Sequence, residues 1–456
     1  FTLIARPDTI AALATPPGIS ALAVVRLSGP AAVEIADCVF QGRRTLGDLP
    51  ARTLAYGRAA DGAGEMLDEV TAVVLRAPAS ATGEDVVEIT CHGGTRSAPR
   101  LLAALLAAGA RNARAGEFTE RAFLSGRIDL AQAEAVADVI HAETDLAHRL
   151  AARQIAGGLS RGLSAVAESL RDALAEIEAR VDFAEDVGGV IVPAPVAAAL
   201  TAAEAALDRL LTGADLGRRA REGARVVLAG RPNAGKSSLF NALLGEDRAL
   251  VTAEPGTTRD ALAERLDLEG MPVRLLDTAG LREAISIEAL GVERARRELA
   301  TADLVLWVID GSRPRSAEDR AADLLVAGQP HVIARSKADL PVAAAPTDLA
   351  GEAVAVSAVT GEGLPALRAA LARALRDGRP SGAAAEALVT NGRHIDALRR
   401  AREAIAAARV GAAADTPGEL VAGDVRAALD ALGEVTGEAA APDLLERIFA
   451  RFCIGK

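Results

Sequence analysis

The apolar positions of this chain change their period as one reads along it. In the first 125 or so residues, short runs at Leu22–Leu27, Val73–Leu75 and Val86–Ile89 have the length and β-branched content of strands. Leu101–Ala108 reads as a helix among them, and Ser, Gly and Pro turns punctuate the segment. From about residue 129 the spacing becomes helical. Leu163, Val166, Leu170, Leu174, Ile177 and Val181 recur at intervals of three and four, one stripe of a long helix. Val187-Gly-Gly189 and Pro193–Pro195 break it, and a further helix is expected from Val196 to Leu211. Between residues 223 and about 378, strand-like runs (Val226–Leu228, Val273–Leu276, Leu304–Ile309, Val332–Ala334, Val354–Val356) alternate with helical ones. After a Gly378–Gly382 linker, helices resume at His394–Ala407, Leu420–Leu432 and Asp443–Phe452. Two helical blocks around an α/β segment predict an α/β domain (223–378) inserted into an all-α domain (126–222 and 379–456), preceded by an α+β domain over 1–125.

Composition agrees with this plan. Half of the 456 residues are apolar, enough for two or three cores. Aromatics are only 2% and alanine is abundant, which suits helices packed closely through small side chains. A net charge of −11 argues against a protein that coats nucleic acid through its overall field. Arg218-Arg-Ala-Arg221 could line a local basic groove, although a solvated linker face is the simpler expectation. Cys38, Cys91 and Cys453 have neither zinc spacing nor a disulfide count. With no apolar run of about 18 residues and no secretory leader, the expected compartment is the cytosol. The chain begins at Phe1, so a short start is expected to precede this numbering.

The chemistry concentrates at Gly230-Arg-Pro-Asn-Ala-Gly235-Lys236-Ser237, which fits the phosphate-cradling Gly-x4-Gly-Lys-Ser/Thr loop. A strand precedes it and an apolar-faced helix follows, so backbone N–H groups and a helix N-terminus would point at phosphate oxygens. Asn233, Ala234, Gly235 and Ser238 belong to that cradle; Lys236 would reach the β- and γ-phosphates and Ser237 would hold Mg2+. Asp277-Thr278-Ala279-Gly280 ends the next strand and resembles a switch in which the carboxylate holds the Mg2+ shell and the glycine senses the γ-phosphate. Ser336-Lys337-Ala338-Asp339 and Ser357-Ala358 resemble guanine-reading elements. Asp339 would accept from guanine's ring N–H and exocyclic amine, a pair adenine cannot offer. Charge-assisted hydrogen bonds are worth roughly 1.5–3 kcal/mol each, so GTP is expected over ATP. Ser336 stands where the pattern has Asn, so weakened but retained guanine selectivity is expected.

Hydrolysis needs an oriented water. Leu281 follows the switch glycine and cannot hydrogen-bond one. Help must come from elsewhere: Glu288, or a cation near Asn233 and the loop Thr252–Thr258, with Thr258 supplying a Mg2+ ligand. A solvated switch glutamate is an equally good reading of Glu288.

The C-terminal Phe452-Cys453-Ile454-Gly455-Lys456 closely resembles the ending of the MnmE (TrmE) tRNA modification GTPases, as does Leu432-Gly-Glu-Val-Thr-Gly-Glu438 before it. Asp8-Thr-Ile-Ala11, Ala14-Thr-Pro-Pro-Gly18, Thr82–Ile89, His92-Gly-Gly94, Gly116–Phe123 and Asp129–Glu134 continue the resemblance from the other end. Ile19-Ser20 departs from it, and this would slightly alter a loop at the folate site. The resemblance implies a homodimer that joins the flavoprotein MnmG, FAD entering only through that partner. Together they add a carboxymethylaminomethyl or aminomethyl group at C5 of the wobble uridine of certain tRNAs.

Also by resemblance, the one-carbon unit comes from a folate of the 5-formyl-tetrahydrofolate kind, bound by Arg26, Glu88, Arg127 and Lys456. For the two arginines, a surface ion pair is the bland alternative. K+ is implied at Asn233, Thr252, Glu254 and Thr257, with Thr257 and Thr252 also near the nucleotide, and Glu288 matches the residue that orients water. Cys453 is either a reactive thiol or a packed helix end. The competing readings are a ribosome-assembly GTPase of the Era or Der type, which needs an RNA-binding appendage that the sequence lacks, and a pure binding switch.

Overall fold

A computed structural model describes residues 8–182, 192–245, 263–277, 299–315, 328–341, 353–376, 389–414 and 416–455, together with Arg320, Asp323 and Val326. It divides into two compact units: residues 1–137 with 154–168 and 426–456, and residues 138–153 with 169–425.

The first unit is built on seven strands: β1 Ile10–Leu13, β2 Leu22–Ser28, β3 Phe40–Gly42, β4 Leu54–Ala60, β5 Met66–Leu75, β6 Val86–His92 and β7 Arg111–Asn112. Their order is β3-β4-β5-β6-β2-β1-β7, antiparallel except for the β1–β7 pair. Period-two alternation decides the two faces. Ala23, Val25 and Leu27 of β2, with Val87, Ile89 and Cys91 of β6, turn toward the helices Ala32–Val39 and Ser97–Ala107 and form one core with them. Arg26 and Glu88 fall on the opposite face, directly across from one another in register. Near them Ile10, Ala12, Ala113 and Phe118 form a small second core, Phe118 coming from the helix Glu117–Leu124. The C-terminal helix Pro442–Phe449 and Phe452 pack with Leu130, Ala133 and Phe123.

In the second unit, six strands run β13-β12-β11-β8-β10-β9: β8 Ala224–Ala229, β9 Ala263–Leu268, β10 Met271–Asp277, β11 Leu304–Asp310, β12 His331–Ser336 and β13 Ala353–Ala355. All pairs are parallel except β9 with β10. A parallel sheet covered on both faces reads as a continuous apolar run, and β8 does. Val226 and Leu228 enter one core with Leu306, Val308 and the helices Lys236–Gly245 and Leu364–Leu375, while Val227 and Ala229 enter the other with Trp307 and Ile309.

The predicted helical stripe lies in Gly158–Asp182, where Leu163, Val166, Leu170 and Ile177 are buried; Ala173 is buried while Leu174 is only partly so. The break at Val187-Gly-Gly189 lies outside the described residues. Ala194–Leu211 packs against Gly392–Ala413, and Arg409 Nε donates to Glu204 at 2.8 Å across that pair. The Gly418–Thr436 helix spans the division between the units at residue 425. Arg218-Arg-Ala-Arg221 is not a solvated linker: it lies on the helix Ala214–Glu222. Arg218 and Arg219 pair with buried Asp303 at 2.6 and 3.3 Å, and Arg221 with Asp138 at 2.7 Å, so these cations are neutralised within the unit. β1, β3, β4, β7 and β9 were not foreseen, because polar or alanine-rich positions interrupt the apolar alternation of β1, β4 and β9, and β3 and β7 are only three and two residues long.

Candidate functional site

Parallel strands gather their carboxyl ends along one edge of the sheet, where ligands of open α/β folds bind. β8 ends at the phosphate-type loop. Gly230 is required there: a Cβ would come within 2.3 Å of the Val308 carbonyl oxygen, and φ is +152°. Asn233 has φ +64° and is exposed at the loop's outer turn, while Ala234 is buried. Lys236 starts the Lys236–Gly245 helix and is 8% exposed. Its Nζ donates to the carbonyls of Gly230 and Arg231 at 3.0 and 2.8 Å, so the loop holds the ammonium folded back over its own backbone. Ser237 Oγ donates to Asp277 Oδ2, 3.1 Å away at the end of β10. A hydroxyl and a carboxylate, both hard oxygen donors, thus meet at the helix N-terminus. Ser238 is exposed beside them.

The other side of the edge is built from β11, β12 and the turn after β13. Ser336 is buried, its Oγ 2.6 Å from the Ala234 carbonyl and 3.1 Å from that of Ile309, which ties the loop to the sheet. Lys337, at φ +61°, donates from Nζ to Asp310 Oδ2 at 2.7 Å. Burial alone would push the Asp310 carboxyl up, but the hydrogen bonds from Lys337 and Ser312 outweigh it and hold it below the usual carboxylate range. Asp339 is exposed, and fully buried Ser357 donates to its Oδ1 at 2.6 Å. The Ser357 Oγ in turn accepts from the Val359 and Thr360 N–H groups, fixing the turn that carries half-exposed Ala358. Asp310 was missed in the sequence because the predicted strand stopped at Ile309; an acid closing an apolar β run was the available signal.

Thr252, Glu254, Thr257, Thr258, Thr278, Ala279, Gly280, Leu281, Glu288 and Lys456 lie outside the described residues.

Two family models cover the chain. One described as "GTP-binding protein TrmE N-terminus" matches residues 9–127, and one described as "MnmE helical domain" matches residues 130–453. The chain belongs to the MnmE family. Proteins named "tRNA modification GTPase MnmE" match end to end. One from Chloroflexus aurantiacus is 48% identical over 98% of this chain and 100% of its own length. One from Geobacter metallireducens is 45% identical over 98% and 99%, and one from Xanthomonas campestris 46% over 99% and 100%.

In this MnmE-family chain the N-terminal residues singled out by resemblance are brought together in part. Arg26 Nε and Nη2 lie 2.8 and 2.7 Å from the same Glu88 oxygen, Oε1, which leaves Oε2 open. The guanidinium sits over the Phe118 ring at 5.7 Å, and Nη1 donates to the Gly455 carbonyl at 3.4 Å. The C-terminal residues are laid along this region: Ile454 bridges Ala115, and the Gly116 N–H donates to the Cys453 carbonyl. Phe452 fills the core while Cys453 is exposed, so Cys453 is not the packed helix end that one reading anticipated. Arg127 is exposed, and among the described residues its side chain has no partner. The surface ion pair offered as the bland reading of Arg26 exists, with Glu88, but it is half-buried rather than free in solvent.

A second charged cluster supports this face. Glu117, 0% exposed, accepts from Arg111, from the Arg114 backbone N–H and from Arg121, and Arg121 also reaches Asp8 and Glu84. Burial would raise the Glu117 carboxyl; the Arg111 hydrogen bond, the Arg114 N–H and the two guanidinium charges outweigh it and bring it down to about 2. No helix among the described residues is long and apolar enough to cross a membrane.

Proposed function

We propose that this chain binds and hydrolyses GTP at the sheet edge formed by β8, β10, β11 and β12, and uses that cycle to organise modification of the wobble uridine of tRNA. The observation that carries the reading is the pairing of the motifs: Ser237 with Asp277 on the phosphate side, Asp339 with Ser357 on the base side. Asp339 is an acceptor-only group, complementary to the ring N–H and amine of guanine. The Lys236 ammonium, now on loop carbonyls, exchanges them for phosphate oxygens.

The donor set suits Mg2+, a hard cation that prefers oxygen: Ser237 and Asp277 would hold it with Thr258. Mg2+ supplies charge neutralisation on the phosphates. Asn233 is the described member of the K+ set, with Thr252, Glu254 and Thr257 completing it, and K+ would contribute positive charge at the same place. Glu288 would orient the attacking water, as Leu281 cannot.

On the N-terminal face, Glu88 Oε2 is a free acceptor for the amine and ring N–H of a pterin, and Arg127 is a free cation for an anionic tail; Arg26 and Lys456 complete the proposed folate set. Folate supplies a one-carbon unit there. Full-length likeness to proteins named for tRNA modification supports tRNA as the substrate. A homodimer joined by MnmG, which brings FAD, is the proposed assembly, and the product carries a carboxymethylaminomethyl or aminomethyl group at C5. Exposed Cys453 is available as a thiol in that region. The deciding measurement is the wobble-uridine profile of tRNA from cells lacking this chain: chemically normal tRNA would refute the proposal. GTP turnover measured in K+ and in Na+ tests the cation set, equal rates removing it. Glu288→Ala should leave GTP binding intact and slow turnover; unchanged turnover takes Glu288 out of the mechanism.

A further inference from the structure

We infer that Ser336 braces the phosphate loop but offers the base no side-chain hydrogen bond, so that this chain reads guanine through its Watson–Crick edge and leaves ring N7 unread by residue 336. The inference rests on the guanine-nucleotide reading above.

A serine hydroxyl has a single proton. Both atoms within reach of Ser336 Oγ, the Ala234 carbonyl at 2.6 Å and the Ile309 carbonyl at 3.1 Å, are acceptors, so that proton is engaged between them. The residue is 5% exposed. Turning the hydroxyl toward a ligand would withdraw it from both carbonyls, and a buried carbonyl without a donor is unfavourable. Guanine presents N7 and O6 as acceptors on its other edge, and reading N7 takes a donor. A side-chain amide has two protons, one for the brace and one to spare; serine has none to spare. Four of the neighbouring donors are engaged too. Lys337 Nζ is on Asp310, the Ala338 N–H on the Val356 carbonyl, and the Val359 and Thr360 N–H groups on Ser357. Asp339, exposed and acceptor-only, faces the opposite requirement and meets it.

Space does not forbid the larger side chain. Gly235 lies opposite, where even a Cβ would stand 3.5 Å from Ser336 Cβ and Oγ, and glycine leaves that room open.

The test is calorimetric titration of the full-length protein with GDP, with IDP, which lacks the exocyclic amine, and with 7-deaza-GDP, in which N7 is a C–H. The expected result is GDP and 7-deaza-GDP bound within about twofold of one another, and IDP about tenfold or more weaker. Ser336→Asn should open a preference for GDP over 7-deaza-GDP of about three- to tenfold, the size of one added hydrogen bond. Ser336→Ala should weaken all three nucleotides alike, since only the brace is lost. A wild-type protein that prefers GDP over 7-deaza-GDP several-fold overturns the inference, whether or not the Asn variant folds. So does a Ser336→Ala protein that discriminates less than wild type between those two. IDP bound as well as GDP overturns the Watson–Crick half. Failure of all three to bind removes the guanine reading itself, a result distinct from any ratio between them.

Discussion

The nucleotide edge and the N-terminal sheet face hold their charged groups by different means. At the nucleotide edge the groups come from strand ends, from the turns just beyond them or, for Ser237, from the helix N-terminus that follows β8, and they pair between segments: Ser237 with Asp277, Lys337 with Asp310, Asp339 with Ser357. Each is anchored by backbone just leaving the ladder, which can reshape around a ligand. On the N-terminal face, Arg26 and Glu88 stand in mid-strand, directly opposed in an antiparallel ladder. Their spacing is set by the sheet, and Phe118 and the Gly455 carbonyl hold the guanidinium. The first arrangement suits a site whose occupant changes from triphosphate to diphosphate. The second suits a rigid platform.

The sharpest way to break this comparison is to remove a group from one site and measure both. Lys236→Ala deletes two charge-assisted contacts to phosphate at ~1.5–3 kcal/mol each, about 10²–10⁴ in GTP affinity. Nucleotide titration should show that loss, while binding of 5-formyl-tetrahydrofolate stays at the wild-type level. Loss of both would mean the two sites are not independent.

Next in size is the support beneath the N-terminal face. Glu117→Gln leaves buried Arg121 and half-exposed Arg111 without their shared carboxylate, and breaking such a buried network costs about 3–5 kcal/mol. Hydrogen exchange over β1, β2 and β6 should rise. The fluorescence transition of Trp307, the chain's one tryptophan and part of β11, should not shift. The pH dependence follows from the lowered Glu117 carboxyl. Its folded value of about 2 lies below its ordinary 4.5, so the unfolded chain binds the proton first as pH falls. The stability it contributes is complete above 4.5 and drains away as pH falls toward and through 2. In the Gln variant that part of the acid dependence should be absent; an unchanged acid profile would show that another group carries it.

Why one site was legible in the sequence and the other was not follows from the same contrast. A strand-end site is written contiguously, since the loop, its helix cap and its strand are neighbours along the chain. Gly230–Ser237, Asp277 and Ser336–Asp339 could each be read from residue type and spacing. The mid-strand pair joins residues 62 apart and a carbonyl 429 residues away, and no local pattern encodes that. Arg26 and Glu88 came only from family resemblance, and Glu117 and Arg121 lay within the matching stretch Gly116–Phe123 with no role attached to them. The fold shows the same bias. Buried parallel strands such as β8 and β11 stand out as apolar runs, whereas β4, whose Leu54, Tyr56 and Arg58 face outward, and alanine-rich β1 do not.

A smaller effect tests Arg26, one of the three cations in the proposed folate set. Arg26→Ala removes a charged partner of Glu88, and the loss of one such hydrogen bond, ~1.5–3 kcal/mol, corresponds to about 10- to 150-fold in folate affinity. GTP turnover without folate should be unchanged. If folate affinity is also unchanged, Arg26 serves only to pin the C-terminal Gly455 carbonyl, which proteolysis of the C-terminus would then report.

The smallest expected effect is the most informative about how strand-end sites are built. Ser357→Ala leaves in place the Asp339 carboxylate proposed to meet the base. It takes a donor from Asp339 Oδ1 and the acceptor from the N–H groups of Val359 and Thr360, at a residue that is 0% exposed. Asp339 is exposed and has no other side-chain hydrogen bond among the described residues, so without Ser357 its carboxylate has more rotamers to lose when guanine binds. That ordering cost comes to about 1 kcal/mol, roughly fivefold in GDP affinity. The corresponding Ser357→Thr protein keeps the hydroxyl and should recover most of it. Equal GDP affinity in the Ala variant would show that Asp339 is held in place by the strand end alone, and the contrast with the mid-strand Arg26–Glu88 pair would lose its basis.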